Sequence, residues 1–176
     1  IEPTLREFYD KGFSVFAYDY HGYGTSRGKP TEKNAYRDVE AAYDYLVDQL
    51  RIAPNRIIVM GRSVGGGPAV HIASQRRVGG LILESTFVSA FRVRTVIPLL
   101  PFDKFNNIAK IKKVNCPVLV IHGISDDLIP LWHGRALFEK ANQPKFNLWI
   151  DGAGHNDDLI AAAGDTACQA GVIPIQ

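Results

Sequence analysis

The chain has 176 residues, 46% of them hydrophobic and 22% charged, which is the composition of one ordinary globular domain and too little chain to argue for two. A formal net charge of +2 leaves no basic surplus for binding nucleic acid or an anionic membrane, and the Lys110 to Lys113 cluster reads as a solvated face. No apolar run approaches the ~20 residues of a membrane-spanning helix, and no signal-peptide pattern follows Ile1.

Taken in order, the elements alternate short apolar strands with amphipathic helices, which predicts an α/β domain with a mostly parallel sheet covered on both faces. Glu2 to Lys11 predicts a helix, with Pro3 early, Leu5 and Phe8 on one face and Gly12 as terminator. Phe13 to Tyr18 reads as an aromatic-rich strand, followed by a Gly-, Ser- and Pro-rich loop from Gly22 to Pro30. Thr31 then caps a long helix whose Tyr36, Val39, Tyr43, Leu46, Val47 and Leu50 recur at three and four residues as one buried stripe. Ile57 to Met60 is the next strand and runs into Gly61-Arg62-Ser63-Val64-Gly65. A helix over roughly Gly66 to Gln75 leads to the strand Gly80 to Glu84. The stretch Phe87 to Phe105 lacks a clear period and reads as an insertion over the sheet, about residues 86–112 in all. Strands at Val118 to His122 and Phe146 to Ile150 flank a helix near Trp132 to Ala141. A short helix is expected after His155, and the order of the tail from Gly164 to Gln176 has no signal.

Cys116 and Cys168 lie far apart and outside any metal-ligand spacing. Cys116 adjoins the apolar run Val118 to Ile121 and reads as a small core residue, so a reducing, cytoplasmic compartment is the expectation.

The strongest local signal is Gly61-Arg62-Ser63-Val64-Gly65, set between an apolar strand and a helix start. A serine on so sharp a turn projects its hydroxyl from the carboxyl edge of a sheet, and glycines two residues to either side relieve the crowding. The amide of Val64 and the positive end of the following helix then face a developing oxyanion. A serine hydroxyl needs a base and a group to orient that base. His155, in Gly152-Ala153-Gly154-His155, follows the last strand by a few residues, and Asp126 follows the strand before it. Ser63, Asp126 and His155 thus come in the chain order of nucleophile, acid and base, each just past the carboxyl end of a strand. Asp127 and Glu84 are the alternative acids, while Asp157 and Asp158 read as solvated helix-start residues. His71 reads as packed or surface and His122 as locally hydrogen-bonded. His21 and His133 show no partner in the sequence. No pair of histidines has metal-ligand spacing, and neither a metal nor another cofactor is expected.

The segments Asp19-Tyr20-His21-Gly22-Tyr23-Gly24-Thr25-Ser26, Gly61 to Gly66, Pro117 to Pro130 and Gly152 to Asn156 resemble the α/β-hydrolase family. The resemblance is to the branch holding membrane-associated protein depalmitoylases and uncharacterised bacterial relatives. It implies a Ser63–Asp126–His155 triad, the Val64 amide as one oxyanion donor, and a small cap where Phe87 to Phe105 stands. Members of the family begin with further strands and a His-Gly loop supplying the second oxyanion amide. The resemblance therefore predicts an N-terminally incomplete single domain over 1–176.

The expected activity is hydrolysis of carboxylic esters or thioesters through an acyl-enzyme, on a small-molecule or acylated substrate. Phe87, Phe91, Leu99, Leu100 and Phe102 suggest a hydrophobic acyl group. The alternatives are a peptidase or a cofactor-free haloperoxidase using the same three residues, or a non-catalytic binding protein on the same fold. A nucleotide-binding reading of Gly22 to Gly28 fails, because Pro30 and Thr31 delay the helix until after the last glycine. The sequence carries no signal of oligomeric state.

Overall fold

The structure, a computed structural model, describes residues 2–90 and 104–160. Helix α1 (Glu2–Asp10) is followed by α2 (Glu32–Asp44), which closes in a π-helical turn, Tyr45–Gln49. Strand β1 (Ile58–Arg62), α3 (Gly66–Gln75) and β2 (Gly80–Glu84) form a parallel strand–helix–strand unit. After the short α4 (Asn107–Lys110) come β3 (Val118–Gly123), α5 (Trp132–Lys140) and β4 (Lys145–Ile150). The four strands pair in the order β1-β2-β3-β4, all parallel. Consequently the carboxyl ends of all four open at one edge, where ligands of such sheets gather.

Side chains alternate across a strand, and both faces here are apolar. Leu81, Leu83, Val118 and Val120 meet α2, α3 and α5 on one face through Val39, Tyr43, Val70, Ile72 and Leu137. Ile82, Leu119 and Ile121 meet Phe8, Phe13, Leu159 and Ile160 on the other. Each fully buried Leu or Ile stabilises the fold by about 1.5–3 kcal/mol relative to exposure. Thr31 caps α2 by accepting from the Asn34 amide at 3.1 Å, as its sequence position predicts.

Two expectations change. Phe13 to Tyr18 is not a strand, since none of its backbone joins the β-ladder. Val15 and Phe16 are exposed, and Phe16 instead stacks on Tyr45 at 5.8 Å. An apolar run becomes a strand only when a neighbouring backbone satisfies its amides. The stripe on α2 also stops short. Val39 and Tyr43 are buried, but Leu50 is exposed, because the π-helical turn rotates it off the stripe. The predicted helix after His155 begins at 159–160, and its continuation, the tail and Cys168 lie outside the described residues, as do Phe91, Leu99, Leu100 and Phe102.

Candidate active site

Strand β1 ends at Arg62, and Ser63 follows with φ +50°, the left-handed region that a non-glycine residue adopts at a cost. The chain then makes one 3₁₀ turn, Ser63–Gly65, and enters α3. Close packing dictates the glycines around it. A Cβ on Gly61 would lie 2.5 Å from the Gly65 carbonyl oxygen, and one on Gly66 would lie 2.0 Å from Thr86 Oγ1. Gly65 differs from the expectation, because a Cβ there meets nothing nearer than Tyr20 Oη at 3.9 Å. The crowding on that side falls on Gly66. Thr86 fixes the turn from below, its hydroxyl donating to the Ser63 carbonyl at 2.6 Å.

The other two residues come from the loops after β3 and β4. Those loops are fastened to each other by backbone: Ile124 N donates to Ile150 O at 2.9 Å and Ser125 N to Ala153 O at 3.0 Å. Gly123 allows this approach, since a Cβ there would sit 2.3 Å from the Ala153 oxygen. Asp126 is buried, and its Oδ1 accepts from the amides of Leu128 (3.1 Å) and Ile129 (2.7 Å). Its Oδ2 takes His155 Nδ1 at 2.8 Å. With Nδ1–H committed to the carboxylate, the neutral imidazole presents Nε2 as an acceptor. That nitrogen stands 3.1 Å from Ser63 Oγ. The structure thus brings Ser63, His155 and Asp126 into one hydrogen-bonded line across the carboxyl edge of the sheet, with Val64 in the turn just after the serine.

The remaining candidates are placed elsewhere. Asp127 is exposed. Glu84 is fully buried at the end of β2, with Arg62 Nε 3.7 Å from its Oε1. Burial pushes its carboxyl above the usual range, a shift that Arg62 partly offsets and Asp158 reinforces. Asp157 is exposed and accepts from the Gly154 amide at 2.7 Å, so it shapes the loop that carries His155. Asp158 is half-buried rather than solvated.

Histidines without visible partners acquire them in the fold. His71 stacks on Tyr36 at 4.0 Å and bonds Glu40 at 2.8 Å. His21 pairs with Asp38 on α2. His133 is fully buried and accepts from the Val88 amide at 3.2 Å. His122 donates from Nε2 to Ile129 O at 2.7 Å, as its local reading predicts, and that same nitrogen lies 3.5 Å from Asp126 Oδ2. Burial holds its pKa below the ordinary histidine value. Sequence reasoning gave no separate role to Arg62, whose Nη2 donates to the carbonyls of His155 (3.0 Å) and Asp157 (3.3 Å). Its place beside the serine was the available signal. Among the described residues no helix is long and apolar enough to cross a membrane, and no cluster of three or more His, Cys, Asp or Glu is arranged to hold a metal ion.

Comparison with known proteins identifies the family and the fold. The family described as "Serine aminopeptidase, S33" matches residues 1–111. The chain belongs to this α/β-hydrolase family. It is 46% identical over 146 residues to human alpha/beta hydrolase domain-containing protein 17B, covering 82% of this chain and 51% of that protein. The chain therefore spans about half the length of the curated relatives it matches. Among solved structures it is similar to an esterase from Pyrococcus furiosus (TM-score 0.76, 21% identity, 96% of this chain and 73% of the other). It is also similar to a monoacylglycerol lipase from Paleococcus ferrophilus (TM-score 0.71, 20% identity, 97% and 86%). These identities speak for the fold, the α/β-hydrolase fold, which the sequence had predicted.

Proposed function

We propose that this chain carries the catalytic core of a serine hydrolase cleaving carboxylic ester or thioester bonds, with Ser63 as nucleophile, His155 as general base and Asp126 as the acid that orients it. The observation that carries the reading is the hydrogen-bonded line from Asp126 through His155 to a Ser63 in the strained backbone of a strand–helix turn. Ser63 Oγ attacks the acyl carbonyl carbon while its proton passes to His155 Nε2. Asp126 stabilises the imidazolium that results without taking the proton itself. The Val64 amide, in the 3₁₀ turn that leads into α3, supports the oxyanion of the tetrahedral intermediate. Collapse breaks the carbon–oxygen or carbon–sulfur bond, and the leaving group takes the proton from His155. Water, deprotonated by the same nitrogen, then attacks the acyl-enzyme, and the carboxylic acid and free Ser63 are released.

A hydrophobic acyl group is the proposed substrate, on the strength of the aromatic and aliphatic residues of 87–105. Phe87 itself is buried and packs on Phe105. The description of the matched family favours a second reading, amide cleavage at a peptide terminus. Labelling with a fluorophosphonate, with the modified residue located by mass spectrometry, tests the nucleophile. Modification at Ser63 that disappears in Ser63→Ala is expected, and labelling elsewhere overturns the assignment. Faster turnover of acyl p-nitrophenyl esters and acyl thioesters than of aminoacyl amides supports the first reading over the second, and the reverse ranking favours the peptidase.

A further inference from the structure

Asp126 restrains the imidazole of His155 and nothing else of that residue. The backbone carrying the ring belongs to the loop 151–158, which leaves the outer, half-buried strand β4. Backbone hydrogen bonds from Ile124 and Ser125 to Ile150 and Ala153 tie the start of that loop to β3, but they do not tie it to the strand end that bears Ser63. Arg62 is placed to do so. It immediately precedes Ser63, and its Nη2 reaches across the edge of the sheet to the carbonyl oxygens of His155 and Asp157. One guanidinium thus spans from the last residue of β1 to the loop after β4.

The guanidinium is itself held. In the parallel register Arg62 stands opposite Glu84, so the two side chains leave neighbouring strands on the same face. The Glu84 carboxyl is wholly buried, and neither oxygen has a hydrogen-bond partner in close geometry. Its nearest cationic neighbour is Arg62 Nε at 3.7 Å. A buried ion pair of this kind is weak evidence for stability, because desolvation cancels much of the attraction. What the pair does provide is direction: a planar fork, anchored on one side by charge, offers its outer nitrogen to two carbonyls on the other.

We propose that Arg62, seated on Glu84, is a positioning residue that latches the His155 loop to the strand end bearing Ser63. The proposal rests on the reading of Ser63 and His155 as nucleophile and base. A displacement of about 1 Å in such a pair can cost up to ~10²-fold in rate, which sets the scale of the expected effect.

The test compares Arg62→Met, Arg62→Lys, Glu84→Gln and the Arg62→Met/Glu84→Gln double variant with the full chain. One readout is the rate of fluorophosphonate labelling at Ser63. The other is amide hydrogen exchange across 151–158, which does not depend on Ser63 being a nucleophile. The latch predicts that Arg62→Met slows labelling by roughly ten- to a hundredfold and speeds exchange in that loop while β2 and β3 stay protected. Arg62→Lys, a point charge able to reach one carbonyl, should recover part of the rate. Glu84 acts through Arg62, so the double variant should label no more slowly than Arg62→Met alone. The double variant also removes the uncompensated buried charge, which keeps the test open if Arg62→Met folds poorly. Unchanged loop exchange with unchanged labelling overturns the latch, as does additive slowing in the double variant. An unlabelled Ser63 in the wild-type chain overturns the functional reading, and loop exchange in the Arg62 variants still decides the mechanical half.

Discussion

Two carboxylates are buried at the same edge of the sheet, Glu84 at the end of β2 and Asp126 just beyond β3, and they have opposite surroundings. Asp126 accepts from two backbone amides and from His155 Nδ1 at 2.8 Å, and His122 Nε2, which donates to Ile129 O, lies 3.5 Å away. Glu84 has an arginine at 3.7 Å and no close hydrogen bond. The difference follows from what each strand runs into. β3 opens into a turn whose amides point back at the aspartate, whereas β2 continues through Ser85 and Thr86 beneath the serine turn. A charge surrounded by oriented donors suits the task of stabilising an imidazolium. A carboxyl whose main compensating neighbour is a guanidinium suits the task of holding that guanidinium in place.

The sharpest way to break this comparison is to neutralise each acid in turn. Asp126→Asn should lower hydrolysis and Ser63 labelling by on the order of 10³–10⁴, because the amide stabilises the wrong tautomer of His155. Glu84→Gln should cost no more than about tenfold, the scale of a displaced rather than disabled base. Initial rates on an acyl ester decide it, and a Glu84 variant as damaged as the Asp126 variant would exchange their roles.

The next effect concerns how each strand end is tied to the His155 loop. The β3 end is tied by backbone contact at Gly123, so Gly123→Ala should destabilise the fold by about 1–3 kcal/mol through overpacking and slow labelling as well. Gly65, which has room for a methyl group, should accept alanine within about 0.5 kcal/mol. Urea unfolding of the two variants checks both.

Acid and base titration sharpen the comparison further. Folding raises the Glu84 pKa from its ordinary value of 4.5, so over the interval above 4.5 the folded chain binds more protons than the unfolded one. Stability therefore falls as pH rises through that interval, and Glu84→Gln should remove this slope. His122 behaves oppositely. Its pKa is lowered from 6.5 by burial, so its contribution is lost as pH falls below 6.5, where the unfolded chain takes up the proton first. Unfolding free energies measured between pH 4 and 8, spanning roughly these two values, separate the two.

The smallest effect lies away from the site. Burial pushes the Cys116 thiol up to about 11, so iodoacetamide should leave this residue unmodified in the native chain at neutral pH. Peptide mapping checks it.

Much of the architecture was legible because it depends on local pattern. The limits of α3 and β2 coincide with those predicted from periodicity, and Thr31 caps α2 as its position implies. The glycine-flanked serine turn and chain order together pointed to Ser63, His155 and Asp126, with Asp127 and Glu84 as alternative acids, since each of the three follows a strand and parallel strands bring such positions to one edge. Phe13 to Tyr18 was misread because its composition suits a strand but pairing requires a neighbour that composition does not supply. Leu50 was misread because one π-helical turn shifts the phase of the stripe.

The sequence by itself thus determined the alternation of elements, the serine turn, and Ser63 and His155 with a short list of three acids, all consequences of periodicity, glycine placement and order along the chain. Only the tertiary structure decided which carboxylate faces His155, that His122 stands behind Asp126, and that Arg62 joins the end of β1 to a loop 93 residues further on. Those are distances between side chains on different elements. They follow from register and packing, which are properties of the assembled sheet rather than of any one segment.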